Sequence, residues 1–343
     1  MKTFLNQISD TEKRFYSQKP KHDKIIKMIE KEASLLEMDD PVRVQKRLTR
    51  LHIDPSLPQI VQERLIGKND LMNVNYFELG LRVAKTVGRI SIRNQSKRVQ
   101  GYGTGFLVSP QLLLTNNHVL PTLFAAKFSQ VEFNYQYDCD GRLLPSLYYD
   151  LRPEVFYITN SDLDYSLVAL SPLAHDQTPL SELGHNLLIE EEGKAVLGEC
   201  VSIIQHPNGE PKQIAIRENQ LIGLDPDFLQ YYTDTAQGSS GSLVCSDQWE
   251  VIGLHHSGVP RRDENNNILR LDGGIWTYGM SPLLIDWKAN EGVRISRIIK
   301  NLREKVAAET DGVQRLFEEM LEIKHPSSTL KPSLSPSPPE QPA

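Results

Sequence analysis

At 343 residues, 39% hydrophobic and 24% charged, the chain is long enough for one large domain with extensions and apolar enough to bury a core. A net charge of −6 argues against a surface built to coat nucleic acid. No apolar run approaches the roughly 18 residues of a membrane span, so neither nucleic acid nor membrane is an expected partner. The opening MKTFLNQISDTEKRF turns polar too soon for the apolar centre of a signal peptide. Three scattered cysteines, Cys139, Cys200 and Cys245, make a poor disulfide framework and suit the reducing cytoplasm.

Residues 1–75 are expected to form a small α-helical unit ahead of the main domain. In HDKIIKMIEKEASLLE, Ile25, Met28, Ile29 and Leu36 fall near helical spacing, with Lys and Glu on the other face. Asp39, Asp40 and Pro41 then supply a stop and a restart, Pro being suited to the first turn of PVRVQKRLTRL. A third helix is expected from Leu57 through Leu65. Three short helices of this kind make a packing or docking module, a candidate adaptor or regulatory domain with a protein partner. Its basic stretches, KPKHDK and RVQKRLTR, read as a solvated face.

From about Tyr76 the texture changes to short β-branched and apolar runs broken by Gly, Pro, Asn and Asp: GRISIR, GTGFLVS, QLLLTNNHVL, VEFNYQY, YSLVAL, VSIIQH, KQIAIRE and VIGLHHSG. These runs predict a mainly β sandwich or barrel over residues 76–306. Asn208-Gly209 marks a hairpin, because both residues tolerate positive φ, and His206 is expected to steady its start. Cys245 sits in an apolar run and reads as a small buried hydrophobe. ISRIIKNLREKV reads as an amphipathic helix, and a further helix around VQRLFEEMLEI fills residues 307–325. Residues 326–343 are rich in Pro and Ser, lack apolar mass and are expected to be disordered.

The stretch DTAQGSSGSLV, residues 234–244, raises the question of chemistry, since a Gly-flanked serine is either a loop residue or a nucleophile. A serine hydroxyl is a weak nucleophile at neutral pH and needs a base, which in turn needs a third group to fix its tautomer. His118 ends the apolar run LLLTNNHVL, and Asp164 immediately precedes the apolar run YSLVAL. The chain order His118, Asp164, Ser240 is one of the known solutions of such a triad. Each context alone is weak; their joint occurrence in this order on a β background is not. The adjacent His255 and His256 lack the spacing and the neighbours of a metal site.

Together, GTGFLVSPQLLLTNNHVL, LDYSLVAL and GSSGSLV resemble the trypsin-like (chymotrypsin-fold) serine peptidases, most of all the bacterial branch that includes the V8-like glutamyl endopeptidases. The likeness runs from about Arg89 to Val306. VIGLHHSGV is similar to the family's substrate-binding strand, and GVRIS leading into RIIKNL to its last strand and closing helix. The resemblance implies two six-stranded antiparallel β-barrels with the active site between them, protein or peptide substrates cleaved through an acyl-enzyme, and no cofactor or metal. Ser240 would attack, His118 would take and return the proton, and Asp164 would orient the imidazole. The backbone N–H groups of Gly238 and Ser240 would form the oxyanion hole.

The implied specificity pocket is ambiguous. Asp234 resembles the carboxylate floor that selects Arg or Lys, whereas Thr235 and His255, or His256, resemble the groups by which the glutamyl branch holds an acidic side chain. Asp234 turned into its own loop would support neither preference. Ser239 stands where the animal digestive enzymes carry an Asp that pairs with a freshly cut N-terminus. A site formed without that step, under control of the helical extension, is therefore expected. The reading from a different class is a non-catalytic peptide-binding or adaptor protein on a trypsin-like scaffold, which predicts a broken triad position.

Overall fold

The computed structural model describes residues 4–54, 56–66, 73–216, 219–232 and 239–322. Six helices come first: α1 (Phe4–Ser17), α2 (Lys19–Glu30), α3 (Leu35–Met38), α4 (Pro41–Arg50), α5 (Gln59–Ile66) and α6 (Asn75–Lys85). The expected stop and restart is an N-cap: Asp40 Oδ1 accepts from the N–H groups of Val42 and Arg43 at 2.9 and 3.3 Å, with Pro41 in the first turn. The strand texture expected from Tyr76 starts one helix too early, because Tyr76, Leu79 and Val83 carry helical spacing and turn α6 onto the core.

The first sheet contains β1 (Val87–Arg93), β2 (Val99–Leu107), β3 (Leu112–Thr115), then, beyond α7 (Leu123–Phe128), β4 (Gln130–Phe133), β5 (Leu147–Asp150), β6 (Tyr157–Asn160) and β7 (Tyr165–Ala169). Its order is β5-β4-β1-β2-β3-β7-β6, all antiparallel. The bridge between Leu151 and Leu170 and the bond from Arg152 N to Ala169 O join the end of β5 to the end of β7. Six strands thereby close on themselves, and β6 pairs outside the ring.

The second sheet repeats the plan with β8 (Ser202–Gln205), β9 (Gln213–Ala215), β10 (Leu221–Leu224), β11 (Phe228–Tyr231), β12 (Leu243–Cys245), β13 (Val251–Pro260) and β14 (Trp287–Arg294), in the order β10-β11-β14-β13-β12-β8-β9. The bridge of Cys200 to Gln220, just before β8 and β10, closes six of these strands and leaves β9 outside. The fold is thus the trypsin-like pair of antiparallel barrels, each with one strand beyond the six expected. Asn208 and Gly209 take φ of 60° and 69° in the turn that joins β8 to β9, and the buried ring of His206 meets Glu210 O at 3.0 Å.

Burial on both faces explains why these strands read as continuous apolar runs rather than alternating ones. On β3, Leu113 points into the first barrel with Ile90 and Phe133, while Leu112 and Leu114 point to the layer between the barrels. On β12, Val244 fills the second barrel, while Leu243 and Cys245 join the same middle layer. Two C-terminal helices, α8 (Ile295–Val306) and α9 (Asp311–Glu322), cover that layer with Ile298, Ile299, Leu302 and Phe317.

The N-terminal helices pack on this body as well. Phe15 of α1 is buried with Ile222, Val259 and Ala289 of the second barrel. Arg47 of α4, fully buried, donates to Glu199 Oε1 at 3.0 Å. Among the described residues no helix is long and apolar enough to cross a membrane.

Because Phe317 is completely buried at the seam between the barrels, Phe317→Ala should lower the unfolding free energy by about 3–5 kcal/mol. Urea denaturation followed by tryptophan fluorescence measures it; a loss of about 1 kcal/mol or less would mean that α9 is not part of the core.

Candidate active site

His118 follows β3 of the first barrel, Asp164 precedes β7 of the same barrel, and Ser240 precedes β12 of the second. His118 and Ser240 line one cavity of about 820 Å³ between the barrels, together with His255, His256 and, from α1, Phe4 and Gln7. Asp164 sits behind His118. Its Oδ2 accepts from His118 Nδ1 at 2.8 Å and its Oδ1 from His118 N at 3.0 Å. With Nδ1–H committed to the carboxylate, the neutral ring carries its lone pair on Nε2.

Asp164 adopts φ of 46°, a left-handed conformation that Asp tolerates better than most residues. Two asparagines hold that turn. Asn116, two residues before His118, donates through Nδ2 to Asp164 O at 2.9 Å, and Asn160 Oδ1 accepts from the N–H groups of Asp162 and Leu163. Sequence reasoning missed Asn116, although the polar pair in TNNH was the available signal.

The Ser240 loop is tied to both barrels. Ser240 O accepts from Thr104 N of β2 at 2.8 Å, and Gly241 N donates to His255 O of β13 at 3.0 Å. Gly241 has φ of 89°, and a Cβ there would lie 2.0 Å from Thr104 O and 2.4 Å from Thr115 Oγ1. Only glycine fits. Ser239 is buried beside it. Gly238, Asp234 and Thr235 lie outside the described residues.

The two histidines of LHHSG behave differently. His255 Nδ1 meets the hydroxyl of Tyr231 at 2.8 Å, and burial, helped by His256 and His118, lowers its pKa to about 3, so the ring is neutral. His256 is the extra residue of a β-bulge: His255 pairs with Gly292 and Ser257 with Glu291, leaving His256 between. A bulge re-aims side chains, and this one turns His256 to Asp164 and Glu291. Its Nδ1 lies 3.2 Å from Asp164 Oδ2 and its Nε2 2.9 Å from Glu291 Oε1. Both ring nitrogens are engaged.

Burial alone would lower the pKa of His256, but hydrogen bonds and charge from Asp164 and Glu291 raise it above its ordinary value. Burial would conversely raise the Asp164 carboxyl, yet His118 and His256 hold it well below the usual carboxylate range. Glu291, completely buried, is lowered in the same way by His256 and Arg14 despite its burial. Sequence reasoning missed Glu291, which lies in a run with no motif.

Two antiparallel barrels thus bring a histidine and a serine to one cleft, with an aspartate bonded behind the histidine. Residues 103–254 match the family model described as a trypsin-like peptidase domain. Uncharacterized protein y4fB of Sinorhizobium fredii (strain NBRC 101917 / NGR234) is 38% identical over 287 residues, covering 78% of this chain and 43% of that protein. Exfoliative toxin A of Staphylococcus aureus is 26% identical over 195 residues, 53% of this chain and 64% of the toxin. The chain spans less than half the length of the first of these relatives. Among solved structures, the active form of the Rv3671c protease from M. tuberculosis is similar at 16% identity and a TM-score of 0.42, over 67% of this chain and 86% of that one.

Two outcomes are expected of this geometry. Gly241→Ala should cost at least about 2 kcal/mol, from positive φ and backbone collision combined, read by urea denaturation; a neutral effect would mean that the loop is free to shift. The second concerns pH. A histidine whose folded pKa is raised contributes stability that is complete below its unfolded value of about 6.5 and lost as pH rises through the folded value. The stability difference between the wild type and His256→Gln should therefore shrink between pH 6 and pH 9. A constant difference across that range, in parallel urea titrations, would remove the charge from His256.

Proposed function

We propose that this chain is a serine endopeptidase that works through His118, Asp164 and Ser240. The single observation that carries the reading is the His118–Asp164 pair, bonded at 2.8 Å, facing the same cleft as Ser240. In this mechanism the Ser240 Oγ attacks the scissile carbonyl carbon while its proton passes to His118 Nε2. The tetrahedral oxyanion is held by the N–H groups of Gly238 and Ser240. His118 then gives its proton to the leaving amine as the C–N bond breaks, which leaves an ester on Ser240. Water, deprotonated by His118, cleaves that ester and releases the acid. Asp164 stays ionised throughout, which its depressed pKa supports.

For the substrate pocket, His255 is the favoured member of the histidine pair, since both ring nitrogens of His256 are engaged by carboxylates. A neutral His255 offers a hydrogen bond rather than a charge to the substrate side chain. Asp234 and Thr235 complete the pocket in this proposal, favouring a basic side chain if Asp234 forms its floor and an acidic one if Thr235 joins His255. The segment 1–75 is proposed as the regulatory or adaptor part of a cytoplasmic enzyme. The contacts of α1 with the cleft support the regulatory part of that assignment, and cysteines that are few, scattered and odd in number support the compartment.

A second reading, a non-catalytic peptide-binding or adaptor protein, is favoured only if the cleft binds peptides without turnover. Fluorophosphonate labelling with intact-mass detection separates the two. Wild type should gain one adduct and Ser240→Ala none. Labelling of neither would leave the peptide-binding reading, and labelling of both would show that another residue is the nucleophile.

A further inference from the structure

A chain of buried contacts runs from the proposed catalytic carboxylate to a helix near the N-terminus. Asp164 Oδ2 receives three donors: His118 Nδ1 at 2.8 Å, His256 Nδ1 at 3.2 Å and Gln7 Nε2 of α1 at 3.2 Å. His256 in turn meets Glu291 at 2.9 Å. Glu291 is completely buried and is gripped by α1: Arg14 Nε and Nη2 lie 3.0 and 2.5 Å from its Oε1, and Thr11 Oγ1 lies 3.2 Å away. Gln230 adds a neutral donor at 2.9 Å.

Counting charges shows what α1 contributes. Asp164 and Glu291 are two buried carboxylates, each faced by one ring nitrogen of His256, an arrangement that suits the doubly protonated ring, and Arg14 is the second cation. Without Arg14, one cation would face two desolvated carboxylates, and buried charge without a partner is costly. His256 would then be drawn toward Glu291, or would give its Nε2 proton to Glu291; Asp164 would lose that donor in the first case and keep only a neutral one in the second. A carboxylate with fewer partners orients His118 less firmly.

We propose that α1 is a positioning element of the catalytic site, in which Gln7 directly, and Arg14 through Glu291 and His256, hold Asp164 in register behind His118. The inference rests on the peptidase reading given above and adds residues that touch neither the substrate nor the reacting atoms. The rest of α1 anchors it independently of this network, with Glu12 paired to Arg262 at 2.6 Å and Phe4 set against Trp276. That separation makes a control available.

The test compares fluorophosphonate labelling rates of the full-length wild type with Arg14→Met, Arg14→Lys, Gln7→Ala and Glu12→Gln, with thermal unfolding measured on each. Arg14→Met should label at least ~10-fold more slowly, a modest fraction of what general-base catalysis contributes, and Arg14→Lys should recover most of the rate. Gln7→Ala, a milder change that does not strip a buried charge, should lose about threefold and covers the case in which Arg14→Met fails to fold. Glu12→Gln should keep the rate within about twofold even where it lowers the unfolding temperature by as much. Equal rate losses in Glu12→Gln and Arg14→Met would reduce α1 to ordinary docking and overturn the proposal. So would unchanged rates in Arg14→Met and Gln7→Ala while the wild type labels on Ser240, an outcome that leaves the peptidase reading intact. Absence of labelling in the wild type would instead remove that reading and this one together.

Discussion

The whole cleft is organised around one ionised carboxylate, Asp164, kept out of water between the barrels. A buried anion is tolerable only when donors surround it, and Asp164 draws four of them from three places: the His118 ring and backbone on the first barrel, His256 on the second, and Gln7 on α1. None of these elements can shift independently without leaving charge unpaired. The need to satisfy a single side chain thus ties together two barrels and a helix that are also held by apolar packing.

The Ser240 loop obeys a second constraint, steric rather than electrostatic. Ser240 and Gly241 are pinned to Thr104 on one side and His255 on the other, in a space that excludes even a methyl group. Close packing and an ionic network therefore act on different halves of the site. The packing sets where the serine sits, and the network sets how the histidine is aimed.

Much of this was legible in the sequence. The eight β-like runs all contain strands, the cap at Asp40 and the turn at Asn208-Gly209 form as their chemistry dictates, and His118, Asp164 and Ser240 converge from three separate motifs. Local patterns report local structure well. Glu291 and Arg14 were illegible for the opposite reason: their partnership spans most of the chain, and a lone Glu in a strand or Arg in an amphipathic helix looks like solvated surface. His256 was visible as a residue but not as a role, because the bulge that turns it depends on β14. The helix α6 was overlooked where helical spacing ran directly into strand-like sequence. Gly238, Asp234 and Thr235, read from motif alone, lie outside the described residues.

Arg14 and Glu291 are separated by 277 positions, and Glu291 lies on the last strand of the second barrel. A chain leaves the ribosome N-terminus first, at about 5–20 residues per second, so α1 emerges early and waits for its anchor until nearly all of the domain exists. The first barrel, with His118 and Asp164 already in it, can close well before that. Contacts of such long range are the slowest to form. The helix is made long before the strand that seats it, so an unfinished chain on the ribosome lacks both its serine loop and the contact of Arg14 with Glu291.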